Sequence, residues 1–586
     1  MENNNEKLEK SRHSLAHLLA AAVLTKWPTA LIGIGPTVDN GFYYDISTPS
    51  TPTPHDLEKL EKEMRTLASK KLSFVRKDLS ADDARKLFTS QPFKIELIDE
   101  LEKKGEPISV YETGDAFVDL CRGPHVENTS EIALDGFKLS KIAGAYWRGD
   151  EKNKQLTRIY GLAFEGKKEL AAYEKMIAEA EKRDHRKIGK DLDLFTFSDL
   201  VGPGLPLWTP RGTMIREKLN DFVWELRSAR GFERVAIPHI TKRSLYETSG
   251  HWDKFKDELF KIVTREQHEY AMKPMNCPHH TQIFAHLPRS YREMPQRYSE
   301  TTMVYRDEQS GELSGLSRVL CITQDDAHVF CRMSQIKEEF FKIWDIVDTF
   351  YGTFGFNLKV RLSFHDPAKM EKYLGTPDIW DTAERALREI AKERGVEAFE
   401  APGEAAMYGP KIDFMAHDSL GRQLQVATIQ LDMNMPERFD LFCTNEKGEH
   451  ERIVMLHCAT MGSIERFLAA LIEHLEGNFP TWLSPVQVRI IPVSDKHIDY
   501  AKIAASTLSK EGVRVEIDES SNTIGKKIRD GKLMKLPYLL VVGDKELTAG
   551  TVTVESRDKG SLGAVSVPDF TASIKKEITE RARVAK

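Results

Sequence analysis

Residues 454–467 read VMLHCATMGSIERF. The apolar start has strand character and delivers His457 at its end. GSIERF then predicts a helix that carries Arg466. The neighbouring stretches have the same mixed character. QLQVATIQLDM (423–433) and ERIVMLHCAT (451–460) read as strands, and MSQIKEEFFKIWDIVDTFY (333–351) as a helix. Together they predict an α+β unit over residues 193–482.

On either side the pattern changes. After about residue 485, VQVRIIPVS alternates as a strand and HIDYAKIAASTLSKEG is an amphipathic helix ending at Gly512. VRVEID, the basic helix IGKKIRDGKLMK and the apolar run LPYLLVVG follow. This alternation predicts a small α/β domain over 485–586. Upstream, GKKELAAYEKMIAEAEKRDHRKIGK has helical spacing and a basic end at Arg183, Arg186, Lys187 and Lys190. It predicts a connecting helix over 166–192, with a separate domain at 1–165. Within that domain STPSTPTPH (47–55) reads as a loop.

With 586 residues, the length suggests about three or four domains. The chain is 40% hydrophobic and 30% charged, which suits a globular protein with an ample core. The polar start MENNNEKLEK is no signal peptide, and no apolar run is long enough to span a bilayer. The six scattered cysteines show no disulfide framework, so a reducing, cytoplasmic setting is expected. A net charge of -6 argues against wholesale nucleic-acid binding but leaves room for local basic clusters.

Two clusters carry potential chemistry. In the central unit, TTMVYRDEQSG sets Arg306 two residues before Glu308, KPMNCPHH sets Cys277 in a tight Pro-flanked turn, and TQDDAHVF sets His328 beside Gln324 and Asp326. Near the start, SRHSLAHLLAAAVLTKW places His13 and His17 four apart, on one helical face. VDLCRGPHV adds Cys121 and His125, also four apart. On spacing alone the four side chains fit a metal site, a catalytic site or ordinary core residues.

KPMNCP, TQDDAH, YGPKIDF, TIQLDMNMPERF and GSIERF, in this order and with similar spacing, resemble the threonyl-tRNA synthetases, which are class II aminoacyl-tRNA synthetases. The resemblance covers nearly the whole chain. It implies an antiparallel sheet flanked by helices, a homodimer built around the first class motif near GFERVAIPHI with Pro238, and ATP with Mg2+, L-threonine and tRNA(Thr) as substrates. It also implies roles. Arg306 would hold the α-phosphate and the carboxylate, and Glu308 the adenine amine. Arg466 would cover the adenine and reach the γ-phosphate, with Arg318 at the pyrophosphate end. Fixed guanidinium groups suit a reaction that brings two anions together. Cys277, His328 and His457 resemble the ligands of one Zn2+ per subunit, with a fourth position open. Gln324, Asp326, Tyr408, Lys411, Gln425, Gln430, Ala459 and Ser463 match positions that line the substrate pocket.

The resemblance assigns the HxxxH and CxxxH pairs to a domain that clears seryl-tRNA by water-mediated hydrolysis without zinc, together with Lys94, Asp119 and Tyr44. Such a site is needed because serine differs from threonine by one methyl, worth only about 1–3 kcal/mol. Cys121 acting as a nucleophile is the competing mechanism. The last domain resembles the family's anticodon-binding domain, with Lys526, Lys527 and Arg529 as a basic face. Three departures stand out. Only about ten residues precede the histidine pair, so the family's small ubiquitin-like first domain is expected to be absent. His279 stands where glycine is expected, and YRDEQSGELSGLSRV differs locally from the family's second-motif loop. The rival functions are a hydrolase with a dead activation site and a non-catalytic RNA-binding regulator.

Overall fold

The computed structural model describes residues 2–150, 152–417 and 423–582. The chain forms two compact units, 1–178 and 179–586. Both mix helices with largely antiparallel sheets.

In the first unit, the helix Glu2–Lys26 buries Leu15, Leu18, Leu19 and Ala22 against Phe42 and Ile46 of the strand Gly41–Ser47 and against Leu60 and Met64 of the helix Pro54–Ser69. That last helix starts inside the stretch expected to be a loop. Proline is tolerated at a first helical position because its missing N–H would have no partner there, and Asp56 accepts the N–H of Thr53 at 2.8 Å. Gly41–Ser47, Gln155–Ala163 and Phe137–Tyr146 pair antiparallel in one sheet. Phe74–Leu79, Ile108–Thr113 and Phe117–Leu120 form another.

The second unit is organised by an eight-stranded sheet in the order Glu233–Arg234, Gln296–Tyr305, Cys321–Cys331, Val454–Ser463, Gln423–Asp432, Lys411–His417, Lys359–Phe364, Ala398–Pro402. The interior pairs are antiparallel as expected, but both edge pairs are parallel. The helix Ile336–Phe354 packs here through Phe340, Ile343, Trp344, Val347, Phe350 and Tyr351, a three-and-four spacing that makes one apolar stripe. It ends at Gly355, whose φ of 75° is left-handed. His457 lies within the strand Val454–Ser463, not at its end, and Arg466 lies in the first turn of the helix Ile464–Leu475, a helix the sequence led us to expect.

The expected connecting helix is two helices, Lys167–Arg183 and His185–Asp191. Asp184 breaks it by accepting the N–H of Arg186 at 2.8 Å, the role of an N-cap. Residues 488–566 build a five-stranded sheet in which Val515–Ile517, Val488–Pro492 and Tyr538–Val542 are parallel and two further strands antiparallel. Residues 583–586 of the expected last domain lie outside the described residues.

Candidate functional site

In the second unit a cavity of about 490 Å3 opens above the central strands. Arg306, Glu308, Arg318, Gln324, Asp326, Tyr408, Gln425, Gln430, Ala459, Ser463 and Arg466 line it, with Cys277, His328 and His457 at one end. Side chains two apart on a strand share a face, so Gln324, Asp326 and His328 project together from Cys321–Cys331. Gln425 should face away from Thr428 and Gln430 by that rule. A bulge at Val426, where the register shifts between Phe414 and Met415, restores it to their side. A second irregularity sits between Asp325 and Ala327, opposite Ala459–Met461.

Buried groups hold both bulges. The Tyr351 hydroxyl bridges the carbonyls of Val426 (2.8 Å) and Thr460 (2.9 Å). Asp325 Oδ2 accepts the N–H groups of Thr460 and Met461 at 3.0 and 2.7 Å, and Arg227 pairs with its other oxygen at 2.5 Å. These three residues escaped the sequence reading, because nothing local marks a buried ion pair that supports a bulge.

Cys277, His328 and His457 each present one ligand atom, all within 4.8 Å of one another. Cys277 is the first residue of the helix Cys277–Ala285, with Pro278 next to it, rather than part of a turn. His328 Nε2 and His457 Nδ1 face each other at 3.1 Å. The outer nitrogens are held as well: His457 Nε2 lies 2.9 Å from Asp432 Oδ2, and His328 Nδ1 lies 2.7 Å from His280 Nδ1. Burial keeps His328 well below the usual imidazole range, and so neutral. Burial, followed by Asp326 and Asp432, pushes the Cys277 thiol well up. Two imidazoles with fixed outer nitrogens and one thiol suit a zinc ion with an open position. His279 is buried beside Tyr246, neither ring nitrogen has a hydrogen-bond partner, and burial lowers its pKa to about 4.

Arg306, near enough for its charge to act on the Cys277 thiol and on Tyr408, has a buried Nε without a hydrogen-bond partner, a donor available to an anion. Glu308 pairs with Arg318 at 2.7 Å. Arg466 is anchored by its own N–H, which donates to Ser463 Oγ at 3.2 Å. Tyr408 donates to Gln430 at 2.5 Å and stacks on His457. Lys411 departs from the expectation: it is not among the residues that line the cavity, and its ammonium pairs with the Asp413 carboxylate 3.1 Å away, a buried charge that needs a cation beside it.

In the first unit, His13, His17, Cys121 and His125 converge in the same way. Cys121 Sγ lies 3.3 Å from Nε2 of both His13 and His125. His13 Nδ1 donates to the Pro124 carbonyl at 3.1 Å. Ser14 Oγ donates to the Lys10 backbone carbonyl, so it accepts from His125 Nδ1 at 3.1 Å. Both rings therefore present an unprotonated Nε2 to Cys121. Burial lowers His13, His17 and His125 and pushes the Cys121 thiol up to about 11. Beside them Tyr44 donates to Asp119 at 2.5 Å, Lys94 pairs with Asp119, and His17 Nε2 lies 3.7 Å from that carboxylate.

On the helix Ile524–Leu533, Lys526 and Arg529 are exposed, but Lys527 is not part of their face. It is buried, and its ammonium donates to the Asp518 carbonyl at 2.9 Å.

Residues 260–475 match the family described as tRNA synthetase class II core domain (G, H, P, S and T), and 487–577 match Anticodon binding domain. Residues 108–160, which hold Cys121 and His125, match Threonyl and Alanyl tRNA synthetase second additional domain. A threonine–tRNA ligase of Gloeobacter violaceus is 46% identical, over 98% of this chain and 93% of that protein. This chain belongs to the threonyl-tRNA synthetase family. A second threonine–tRNA ligase, from Porphyromonas gingivalis, is 47% identical over 97% of this synthetase and 87% of its own length. Among solved structures, the RNA binding domain of threonyl-tRNA synthetase from Cryptosporidium parvum is 38% identical, with a TM-score of 0.64. It covers 67% of the synthetase and 98% of its own chain. A prolyl-tRNA synthetase from Giardia lamblia, 19% identical with a TM-score of 0.54 over 70% of this chain and 82% of its own, shares the fold.

Proposed function

We propose that the 490 Å3 cavity activates L-threonine with ATP and passes it to tRNA(Thr), and that the first unit hydrolyses seryl-tRNA(Thr). The observation that carries this reading is the joint lining of one cavity by Arg306, Arg318, Arg466 and the Cys277–His328–His457 set. Magnesium accompanies the ATP.

In activation a threonine carboxylate oxygen attacks the α-phosphorus and pyrophosphate leaves. Arg306, with its unpartnered Nε, offsets the negative charge that builds there. Glu308 accepts from the adenine amine, Arg466 covers the ring, and Arg318 neutralises the departing pyrophosphate. A terminal ribose hydroxyl of the tRNA then attacks the adenylate carbonyl and AMP leaves. Cys277, His328 and His457 would hold zinc, which supplies a Lewis-acid point for the amine and hydroxyl that valine cannot satisfy. Gln324, Asp326, Tyr408, Gln425 and Gln430 orient those two groups, while Ala459 and Ser463 close the wall. Lys411 belongs to the support of this wall through Asp413.

In hydrolysis a water adds to the seryl ester carbonyl, and the released ribose oxygen takes up a proton. His13 is suited to receive the proton of that water, since its Nδ1 is committed to Pro124 and its Nε2 is basic. Lys94, Asp119 and Tyr44 form a fixed polar wall behind it. We further propose that residues 1–165, 166–192, 193–482 and 485–586 act as editing domain, linker, catalytic domain and anticodon-binding domain. Lys526 and Arg529 are the basic contacts proposed for tRNA. A cytoplasmic homodimer is in keeping with the family and with the exposed Ile240 beside Pro238. No helix among the described residues is long and apolar enough to cross a membrane.

The test is threonine-dependent pyrophosphate exchange together with serine release from preformed seryl-tRNA(Thr). Release lost in the His13→Ala/His17→Ala variant but retained with a chelator supports metal-free hydrolysis. Loss of release with the chelator would make the four-residue cluster a metal site, and absence of exchange would leave only the hydrolase or regulator readings.

A further inference from the structure

His185 sits where two arginine-bearing elements meet. The residue is 4% exposed, and both ring nitrogens are engaged. Nδ1 lies 2.8 Å from Glu473 Oε1, and Nε2 accepts the backbone N–H of Leu316 at 3.1 Å. An imidazole that accepts at Nε2 from an amide must carry its proton at Nδ1, so Nδ1–H donates to the Glu473 carboxylate. These contacts account for the Asp184–His185–Glu473 cluster without a metal ion.

The two partners lead to the ATP end of the cavity by different routes. Leu316 is at the tip of a tight turn in which Ser314 and Arg318 exchange backbone hydrogen bonds at 3.1 and 3.2 Å. Arg318 leaves that turn to line the cavity beside Glu308. Glu473 is on the helix Ile464–Leu475, seven residues from Arg466. Seven residues are close to two full helical turns, so the two side chains share a stripe. Arg466 at one end reaches the cavity, and Glu473 at the other reaches His185. The fit is close: Gly315 has a φ of 49°, and a Cβ there would come within 2.4 Å of His185 Nε2.

We propose that His185 is a positioning residue for ATP binding: a hydrogen-bonded peg that sets the Arg318 turn against the Arg466 helix. Removing it frees the turn tip, so Arg318 and Arg466 no longer converge on the phosphates before ATP arrives. The cost falls on the ATP step. Threonine binding is expected to be spared, because the side-chain hydrogen bonds of His328, His457 and Asp326 go to Asn276, His280 and Asp432 and to one another, not to His185, Leu316 or Glu473. Glutamine can replace the ring in kind, with its carbonyl accepting from Leu316 and its amide donating to Glu473.

This inference rests on the proposed activation reaction, which the wild type tests by showing threonine-dependent exchange. Given that exchange, the full-length variants His185→Ala, Glu473→Ala and His185→Gln are compared at varied ATP and at varied threonine. His185→Ala and Glu473→Ala are expected to raise the KM for ATP about tenfold or more. The KM for threonine should stay within about twofold of wild type, serine release from seryl-tRNA(Thr) should be unchanged, and His185→Gln should recover most of the loss. The double variant should be no worse than either single one, since both break one connection. An unchanged KM for ATP overturns the proposal. So does a parallel loss in ATP KM, threonine KM and melting temperature without rescue by glutamine, which would make His185 a packing residue only.

Discussion

Asp432 divides its two carboxylate oxygens between two tasks: Oδ2 lies 2.9 Å from His457 Nε2, while Oδ1 accepts the N–H groups of Asn434 and Met435 at 2.8 and 2.9 Å. The second task fixes the orientation of the carboxylate, and the first therefore fixes the tautomer of His457, leaving Nδ1 free to face His328.

Asp432→Asn should separate these tasks. The asparagine carbonyl will keep the two backbone donors, which turns its NH2 group toward the protonated Nε2 of His457. Two donors then oppose each other, and the ring loses its fixed tautomer. Zinc affinity, measured by competition with a chromophoric chelator, is expected to fall about 10–100-fold with little change in circular dichroism. An unchanged affinity would show that the carboxylate does not orient the ligand.

Zinc uptake should depend on pH through Cys277. Its thiol is pushed up by burial and holds its proton at neutral pH, whereas His328 is pushed down and is already neutral. Binding must therefore release the thiol proton, and affinity should rise with pH, about tenfold per unit while the free thiol is protonated. Proton release on zinc addition in weak buffer, followed by an indicator dye, gives the stoichiometry. A pH-independent affinity would contradict the sulfur ligand.

Cys121→Ser distinguishes the two editing chemistries. With its thiol up at about 11, Cys121 is a poor nucleophile near pH 7. Serine release should stay within about tenfold of wild type in Cys121→Ser, whereas His13→Ala should lose about 10²–10⁴-fold. Because burial lowers His13, the base stays unprotonated below its ordinary value of 6.5, and the acid limb of the rate profile should fall below that pH. A covalent seryl-enzyme trapped on wild-type Cys121 would reverse the assignment.

Arg227→Ala tests the support of the bulge opposite Ala459–Met461. It would leave Asp325, which is fully buried, without its cation, a loss of about 3–5 kcal/mol for a broken buried pair. Urea unfolding of the catalytic part should shift to lower concentration, and the KM for threonine should rise because Asp326 follows in the same strand. A variant with wild-type unfolding would mean that solvent replaces the arginine.

The sequence by itself determined which chemistry-bearing residues occur and in what order they follow along the chain, not what the His13–His17–Cys121–His125 set does. The strand that carries His457, the helix that carries Arg466, and the pairing of His13 with His17 were legible because they depend on periods of two and 3.6 that local residues set. The break at Asp184 was legible in principle, since aspartate before a basic helical segment is a helix-capping signal. Only the tertiary structure decided which side chains meet. Gln425 joins Gln430 through a bulge, and Lys411 turns to Asp413. Lys527 is drawn from the surface to a backbone carbonyl, and His185 reaches from the linker region to both Leu316 and Glu473. In each case a buried polar group must find its partner wherever the packed core leaves one, and that partner is distant in sequence or lies on the backbone, where residue identity carries no signal.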